Sequence, residues 1–130
     1  MIIDSSALVA IMLSEPERRR LEEAIANSGT RLLSSASYFE TSMILISRLG
    51  PHAALDLDLV ILRFLIEVVP FSEAHARIAR DAFRRYGKGR HLAQLNFGDC
   101  MAYAAAKETG EELLFKGTDF GQTDIAVAQY

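Results

Sequence analysis

The chain has 130 residues, of which 14 are Lys or Arg and 17 are Asp or Glu, so its formal net charge is −3. Half of the residues are hydrophobic and 24% are charged, which is typical of a folded globular domain and excludes a disordered or collagen-like chain. The single cysteine, Cys100, excludes an internal disulfide framework and any zinc site that needs two thiolates.

Location can also be predicted from the apolar pattern. No apolar run approaches the ~20 residues that a membrane span needs. Met1-Ile2-Ile3 is followed at once by Asp4, whereas a secretory leader has a basic segment, an apolar run and a cleavage site. We therefore expect an intracellular, cytoplasmic protein that does not associate with a membrane.

The predicted elements alternate between strands and helices along the chain. Short apolar runs predict strands at 1–3, 31–34, 67–69 and 113–115, and a fifth short strand at 125–127. Stretches with helical periodicity predict helices at 5–13, 14–27, 36–49, 53–65, 72–86 and 98–109. Ser14 is the predicted N-cap of the second helix, because Glu17 follows it at capping-box spacing, and Ser72 is the predicted N-cap of the fifth.

This alternation indicates the fold class. Strands separated by helices form crossover units, whose strands run parallel and whose helices cover both faces of the sheet. No internal repeat, low-complexity tract or linker interrupts the pattern. The sequence therefore predicts a single α/β domain over residues 1–130 with a mainly parallel central sheet.

Four acidic residues are expected to meet at one edge of that sheet. In open α/β sheets, functional residues gather at the carboxyl ends of the strands. The acids that follow strands there, or that open a helix at the same edge, are Asp4, Glu40, Asp99 and Asp119.

Each acid also has a purely structural interpretation. Asp4 can cap a helix, Asp99 can lie in a first helical turn, and Asp119 can be a turn residue. Glu40 differs, since it shares a helix side with apolar residues, where a carboxylate is costly unless it is paired. Ser6 has two interpretations, as a hydroxyl at a helix start or as a group that bonds Asp4 or a metal-bound water.

Taken together, the acids indicate a cation site. Several carboxylates within a few ångströms repel one another, and a divalent cation relieves that repulsion. Mg²⁺ and Mn²⁺ prefer such oxygen ligands and can promote phosphodiester hydrolysis without a nucleophilic side chain. The chain correspondingly offers no Gly-rich phosphate loop and no convincing Ser-His-Asp or Cys-His set.

One segment of the chain is strongly basic. Residues 77–90 contain six Lys or Arg residues and a single acid. The segment can be a solvated helix face, or it can bind the phosphates of a nucleic acid. For RNA binding the residues of interest are Arg84, Arg85, Lys88 and Arg90.

Each of the four acids lies in a short motif. The motifs are the opening run 1–8 with Asp4, the run 35–40 with Glu40, the run 96–102 with Asp99, and the closing run 113–120 with Asp119, followed by 123–125. All four resemble motifs of the PIN-domain family in its order and spacing, and the last two resemble the form found among VapC toxins. The resemblance implies a PIN-like three-layer α/β/α sandwich. It also implies a Mg²⁺- or Mn²⁺-dependent endoribonuclease.

The resemblance further implies partners and roles. The protein would be the toxin of a VapBC-type toxin–antitoxin pair, would form a homodimer and would bind a VapB-like antitoxin. By position, Asp4 and Asp99 would be the central metal ligands, and Glu40 and Asp119 would complete the acidic cluster.

The closing motif departs from the family at one position. Related toxins often carry a second acid where this chain has Thr118, so the acidic cluster would have one negative charge fewer here. Thr118 would then be a supporting residue of the site. Asp124 could compensate, although a turn before the last strand is its expected place. The apolar helices 5–13 and 36–49 carry surface that could serve the core or a partner.

Two other functions compete with the ribonuclease. A catalytically inactive PIN module could bind RNA or a protein partner, although it would have no reason to retain four mutually repelling acids. A phosphotransfer or phosphatase domain of another α/β fold could use Asp4 as nucleophile. Such phosphatases have a second Asp two residues after the nucleophile. This chain has Ser6 at that position, which argues against that function.

Overall fold

The computed structural model describes all 130 residues, as four strands, six α-helices and one 3₁₀ helix. The strands are β1 (Ile2–Ile3), β2 (Leu32–Ser34), β3 (Glu67–Val69) and β4 (Leu113–Leu114). The α-helices are α1 (Ser5–Met12), α2 (Arg18–Asn27), α3 (Ser35–Leu49), α4 (Ala53–Arg63), α5 (Glu73–Tyr86) and α6 (Phe97–Thr109), and the 3₁₀ helix is Asp119–Gln122. None of the helices combines the length and apolar character that crossing a membrane requires.

The four strands form one parallel sheet in the order β3-β2-β1-β4. Ile2 is in register with Leu32 on one side and with Leu113 on the other, so β1 lies in the interior of the sheet. The carboxyl ends of all four strands therefore lie along one edge, and Asp4, which follows β1, lies near the middle of that edge. The predicted α/β fold with a mainly parallel sheet is confirmed.

Helices cover both faces of the sheet because successive side chains of a strand point to opposite sides. Ile3 and Leu114 belong to a hydrophobic core shared with helices α1 to α4. Ile2 and Leu113, one residue earlier in each strand, belong to a second core shared with α5 and α6. The result is the three-layer α/β/α sandwich that the family resemblance implied.

Two local predictions were wrong. The predicted fifth strand at 125–127 is reduced to a single parallel bridge between Val127 and Leu113. Ser14 does not cap α2, since it has a φ of 55° and the residue before the helix is Glu17, which makes no capping bond. The reason is the turn that ends α1, where the N–H of Glu15 donates to the carbonyl of Ala10. That turn holds Ser14 in a left-handed conformation, which is unlike the extended backbone of an N-cap.

Most helix ends follow the sequence. Ser72 caps α5 as predicted, and its hydroxyl accepts a hydrogen bond from the backbone N–H of His75. Gly110 ends α6 with a φ of 71°, the left-handed conformation that glycine adopts without steric cost. The boundary that matters for the site is the start of α6, where Asn96 is the N-cap.

Candidate active site

Four carboxylates from four different elements line one cavity at the carboxyl edge of the sheet. The cavity has a volume of about 290 Å³. Asp4 follows β1 and Glu40 lies in the middle of α3. Asp99 lies in the first turn of α6, and Asp119 begins the 3₁₀ helix after β4. The structure therefore brings together all four acids that the sequence singled out.

Asp4 is buried and held by the first turn of α1. Its Oδ2 accepts hydrogen bonds from the backbone N–H of Ser6, at 2.9 Å, and from the Ser6 hydroxyl, at 2.5 Å. The same hydroxyl oxygen accepts a bond from the backbone N–H of Lys116, at 2.9 Å. Ser6 thus connects Asp4 to the segment after β4. The structural interpretation of Asp4 as a helix cap is confirmed, and the same carboxylate also lines the cavity.

Glu40 reaches the cavity through space that a glycine leaves open. A Cβ atom at Gly98 would lie 2.5 Å from the carboxyl carbon of Glu40, well inside van der Waals contact. The absence of a side chain at position 98 therefore lets the Glu40 carboxylate lie against the first turn of α6. Since Asp99 is the next residue, this approach brings an acid of α3 beside an acid of α6.

Asp99 is fixed by a reciprocal pair of hydrogen bonds at the start of α6. Its Oδ2 accepts from the backbone N–H of Asn96, at 2.8 Å, while its own N–H donates to Asn96 Oδ1, at 2.9 Å. This is a capping box, which satisfies two backbone donors at the helix start. One carboxylate oxygen of Asp99 is used in the cap.

The donor atoms match a divalent cation in chemical type. Two buried carboxylate oxygens, Asp4 Oδ1 and Glu40 Oε2, have no hydrogen-bond partner. A buried, unpaired carboxylate oxygen is costly, and a cation would offset that cost. No three His, Cys, Asp or Glu side chains lie close enough together to hold an ion as they stand. Side-chain rotation would have to complete the coordination of Mg²⁺ or Mn²⁺.

Burial and mutual repulsion change the titration of these acids. Burial raises the pKa of Asp4 and of Glu40. The negative charge of Glu40 raises the pKa of Asp4 further, and that of Asp99 raises the pKa of Glu40 further. Burial raises the pKa of Asp99 to about 6, with added repulsion from Asp4 and Asp119. Ionisation of these carboxyls is therefore less favourable in the folded chain than in the unfolded chain.

The family model for the PIN domain matches residues 1–126. The chain belongs to the PIN-domain family. A curated relative, Ribonuclease VapC of Mycolicibacterium smegmatis, is 49% identical over 126 residues, which cover 97% of this chain and 98% of that protein. Two solved structures share the fold at low sequence identity.

The first is Mycobacterium tuberculosis VapC20, a toxin that cleaves the sarcin-ricin loop. It has a TM-score of 0.78 at 16% identity and covers 96% of this chain and 95% of its own. The second is a toxin–antitoxin complex from Klebsiella pneumoniae, with a TM-score of 0.72 at 17% identity, covering 99% of this chain and 97% of its own. Both confirm the PIN architecture.

The cavity of this PIN domain also contains residues that were not predicted from the sequence. Arg48 and Lys116 line it, although neither is adjacent in sequence to Asp4 or Asp99. Arg48 lies eight residues after Glu40 on α3, so helical spacing could have placed both on one side. Asn96 could have been found from its capping-box spacing to Asp99.

Two other predicted positions lie elsewhere in the PIN domain. Thr118 is exposed, precedes the 3₁₀ helix and is not among the residues that line the cavity, so its supporting role stays a prediction. Asp124 accepts a hydrogen bond from the Tyr103 hydroxyl at 2.7 Å and pairs with Lys107 at 2.9 Å. These partners tie the C-terminal segment to α6, and with them the pKa of Asp124 falls to about 2.

The basic residues of the predicted RNA-binding segment are exposed, but none of them lines the acidic cavity. Arg84 pairs with Asp81 at 3.2 Å. Arg85 donates to the Tyr86 hydroxyl and lies over its ring. The Arg90 guanidinium lies 5.6 Å from the ring centroid of Phe83. Lys88 makes no ion pair. Their role in RNA binding stays a prediction.

Proposed function

We propose that this PIN domain is a metal-dependent endoribonuclease and the toxin of a VapBC-type toxin–antitoxin pair. The observation that carries the proposal is the meeting of four carboxylates from four elements in one cavity, with buried oxygens of Asp4 and Glu40 left unpaired. The relative named Ribonuclease VapC, which matches nearly the whole chain, supports the same activity. A toxin of this type would act in the cytoplasm, where its RNA substrates occur.

The roles follow from the position of each acid. Asp4 and Asp99 would be the central ligands of Mg²⁺ or Mn²⁺, and Glu40 and Asp119 would complete the set. When bound, such a cation polarises the phosphodiester, activates water and stabilises the departing oxygen. No side chain then has to act as the nucleophile.

The chain itself supplies orientation. The Ser6 hydroxyl fixes one oxygen of Asp4 and leaves the other facing no donor. The Asn96 cap fixes Asp99 in the same way, and Gly98 admits the Glu40 carboxylate. A ligand set with restrained rotamers loses less entropy when it closes on an ion, so these contacts favour coordination.

The test is cleavage of a mixture of defined single-stranded and hairpin RNAs by the purified protein. We expect no cleavage in EDTA, cleavage after addition of Mg²⁺ or Mn²⁺, and a loss of at least about 100-fold in Asp4→Asn. Asp56→Asn is the matched control, because Asp56 is an exposed acid on α4 outside the cavity.

A distinct result would identify the inactive PIN module. In that case the protein would bind the same RNAs without cutting them under any metal condition, and Asp4→Asn would leave binding unchanged. A trapped phospho-aspartate at position 4 would instead identify the phosphotransfer alternative.

The exposed basic segment would contribute to binding the RNA backbone. Replacing Arg84 and Arg85 with alanine should weaken RNA binding and flatten its dependence on salt, because each phosphate contact releases counterions. Both side chains already have partners in the protein, Arg84 with Asp81 at 3.2 Å and Arg85 with Asp124 at 3.6 Å and with Tyr86, and a phosphate would have to compete with them.

We also propose that the chain forms a homodimer and binds a VapB-like antitoxin. The solved toxin–antitoxin complex of the same fold supports a protein partner. The sequence suggested helices α1 and α3 for this surface, but most of the apolar residues of α1 are buried in the core. Many of the exposed apolar side chains lie on α3 and α4, among them Phe39, Met43, Leu55, Leu59 and Leu62.

An exposed apolar surface of this kind is typical of a protein interface. Light scattering should report a dimer for the chain alone and a larger complex with antitoxin. Leu59→Glu on α4 and Met43→Glu on α3 separate the contributions of the two helices. If neither substitution changes either assembly, these faces are not the interfaces.

A further inference from the structure

Arg48 is a cation on the rim of the acidic cavity. It lies in the last turn of α3, eight residues after Glu40 and four after Ile44, and all three line the cavity. Two turns of one helix thus connect it with the acidic cluster. Its side chain is exposed, so it can contact a ligand that enters the cavity.

Arg48 also has no partner within the protein. It takes part in none of the ion pairs of the structure. The other basic residue of the cavity, Lys116, differs, because its Nζ pairs with Glu15 and, at 3.2 Å, with Glu17. Of the two cations that line the cavity, only Arg48 keeps an unpaired charge.

An unpaired cation at this position has a specific electrostatic consequence. Four carboxylates line the cavity, and a single divalent cation would neutralise only half of their combined charge. A polyanion that approaches the remaining acids is repelled. A guanidinium at the rim offsets that repulsion locally and presents a planar set of donors that matches the oxygens of a phosphate.

We propose that Arg48 binds a phosphate of the RNA backbone next to the phosphodiester that is cleaved. The proposal rests on the proposed ribonuclease function and deepens it. Arg48 contacts the substrate directly, whereas the acids hold the cation. Its contribution is to substrate affinity and register, so its removal should raise KM more than it lowers kcat.

The test compares Arg48→Ala and Arg48→Lys with wild type, and with Arg63→Ala as control. Arg63 is also in the last turn of its helix, α4, and lies outside the cavity. Fluorescence anisotropy with a labelled single-stranded RNA in EDTA measures binding without cleavage, over a range of salt concentrations. Cleavage with Mn²⁺ then gives KM and kcat, and circular dichroism confirms that each variant is folded.

We expect Arg48→Ala to raise Kd and KM by about 5- to 20-fold and to reduce the slope of log Kd against log salt by about 0.7. Arg48→Lys should restore the slope but only part of the affinity, since lysine lacks the planar fork. Arg63→Ala should behave as wild type.

Two results obtained with the variants overturn the assignment. One is an unchanged Kd and slope in Arg48→Ala, and the other is an equal loss in Arg63→Ala, which would indicate a general effect of charge. If wild type binds RNA with the Arg48 dependence but never cleaves it, the ribonuclease function fails and the phosphate contact stands. A wild type that neither binds nor cleaves RNA overturns both.

Discussion

Asp99→Asn should stabilise the metal-free protein, although it removes a proposed metal ligand. Burial raises the pKa of Asp99 from 3.8 to about 6, with further repulsion from Asp4 and Asp119. An amide at position 99 carries no charge, and its oxygen can still accept the capping bond from the N–H of Asn96. The substitution therefore removes a cost and keeps the local structure.

The size of the effect follows from linkage. A folded pKa above the unfolded pKa means that the folded chain retains a proton that the unfolded chain has lost. Stability therefore falls as the pH rises from about 4 to about 6, and the full cost applies above that range. A shift of about two pKa units corresponds to about 3 kcal/mol. Because Asp99 is partly exposed, solvent screening reduces our expectation to about 2 kcal/mol.

Urea denaturation in EDTA at pH 8 and at pH 4 measures this difference. We expect Asp99→Asn to raise the free energy of unfolding by about 2 kcal/mol at pH 8 and to change it little at pH 4. Asp56→Asn, an exposed control, should stay within about 0.5 kcal/mol of wild type at both. Equal destabilisation by Asp99→Asn at both pH values would refute the electrostatic argument. With Mn²⁺ added, wild type should gain more stability than the variant.

Three further substitutions test other parts of the structure. Gly98→Ala should change the free energy of unfolding by no more than about 1 kcal/mol, because only the end of the Glu40 side chain must move. The rate of RNA cleavage should fall about 10- to 100-fold, because the Glu40 carboxylate is displaced. Cleavage at the wild-type rate would show that the close approach of Glu40 to Gly98 is unnecessary. Ser6→Ala should lower the free energy of unfolding by about 1–2 kcal/mol and slow cleavage, because Asp4 loses a 2.5 Å hydrogen bond; the control is rescue by Ser6→Thr. Leu45 lies on α3 and is buried in the hydrophobic core. Leu45→Ala should lower the free energy of unfolding, measured by urea denaturation, by about 2–5 kcal/mol without changing the metal dependence of RNA cleavage.

The local pattern of the sequence was enough to predict most of the elements. Helix caps and strand runs depend on contacts between residues a few positions apart, so Ser72 and Gly110 could be placed from neighbouring residues alone. Ser14 shows where this fails, because its conformation is set by how α1 ends rather than by its spacing to Glu17. The predicted last strand was also too long, since only one bridge joins Val127 to β4.

The identity of the four acids was likewise determined by the sequence. Each follows a strand or opens a helix, and parallel strands place those points at one edge of the sheet. The family motifs added the order and spacing of the same residues. Long-range packing was not needed to choose them.

Only the tertiary structure decided how the cavity is completed. Gly98 admits Glu40 across the contact between α3 and α6, and Arg48 and Lys116 meet at the same rim from segments 68 residues apart. Lys116 is neutralised by glutamates of the α1–α2 turn, which leaves Arg48 as the unpaired cation. Such relations depend on which elements pack together, and packing is a property of the whole core rather than of any local run of residues.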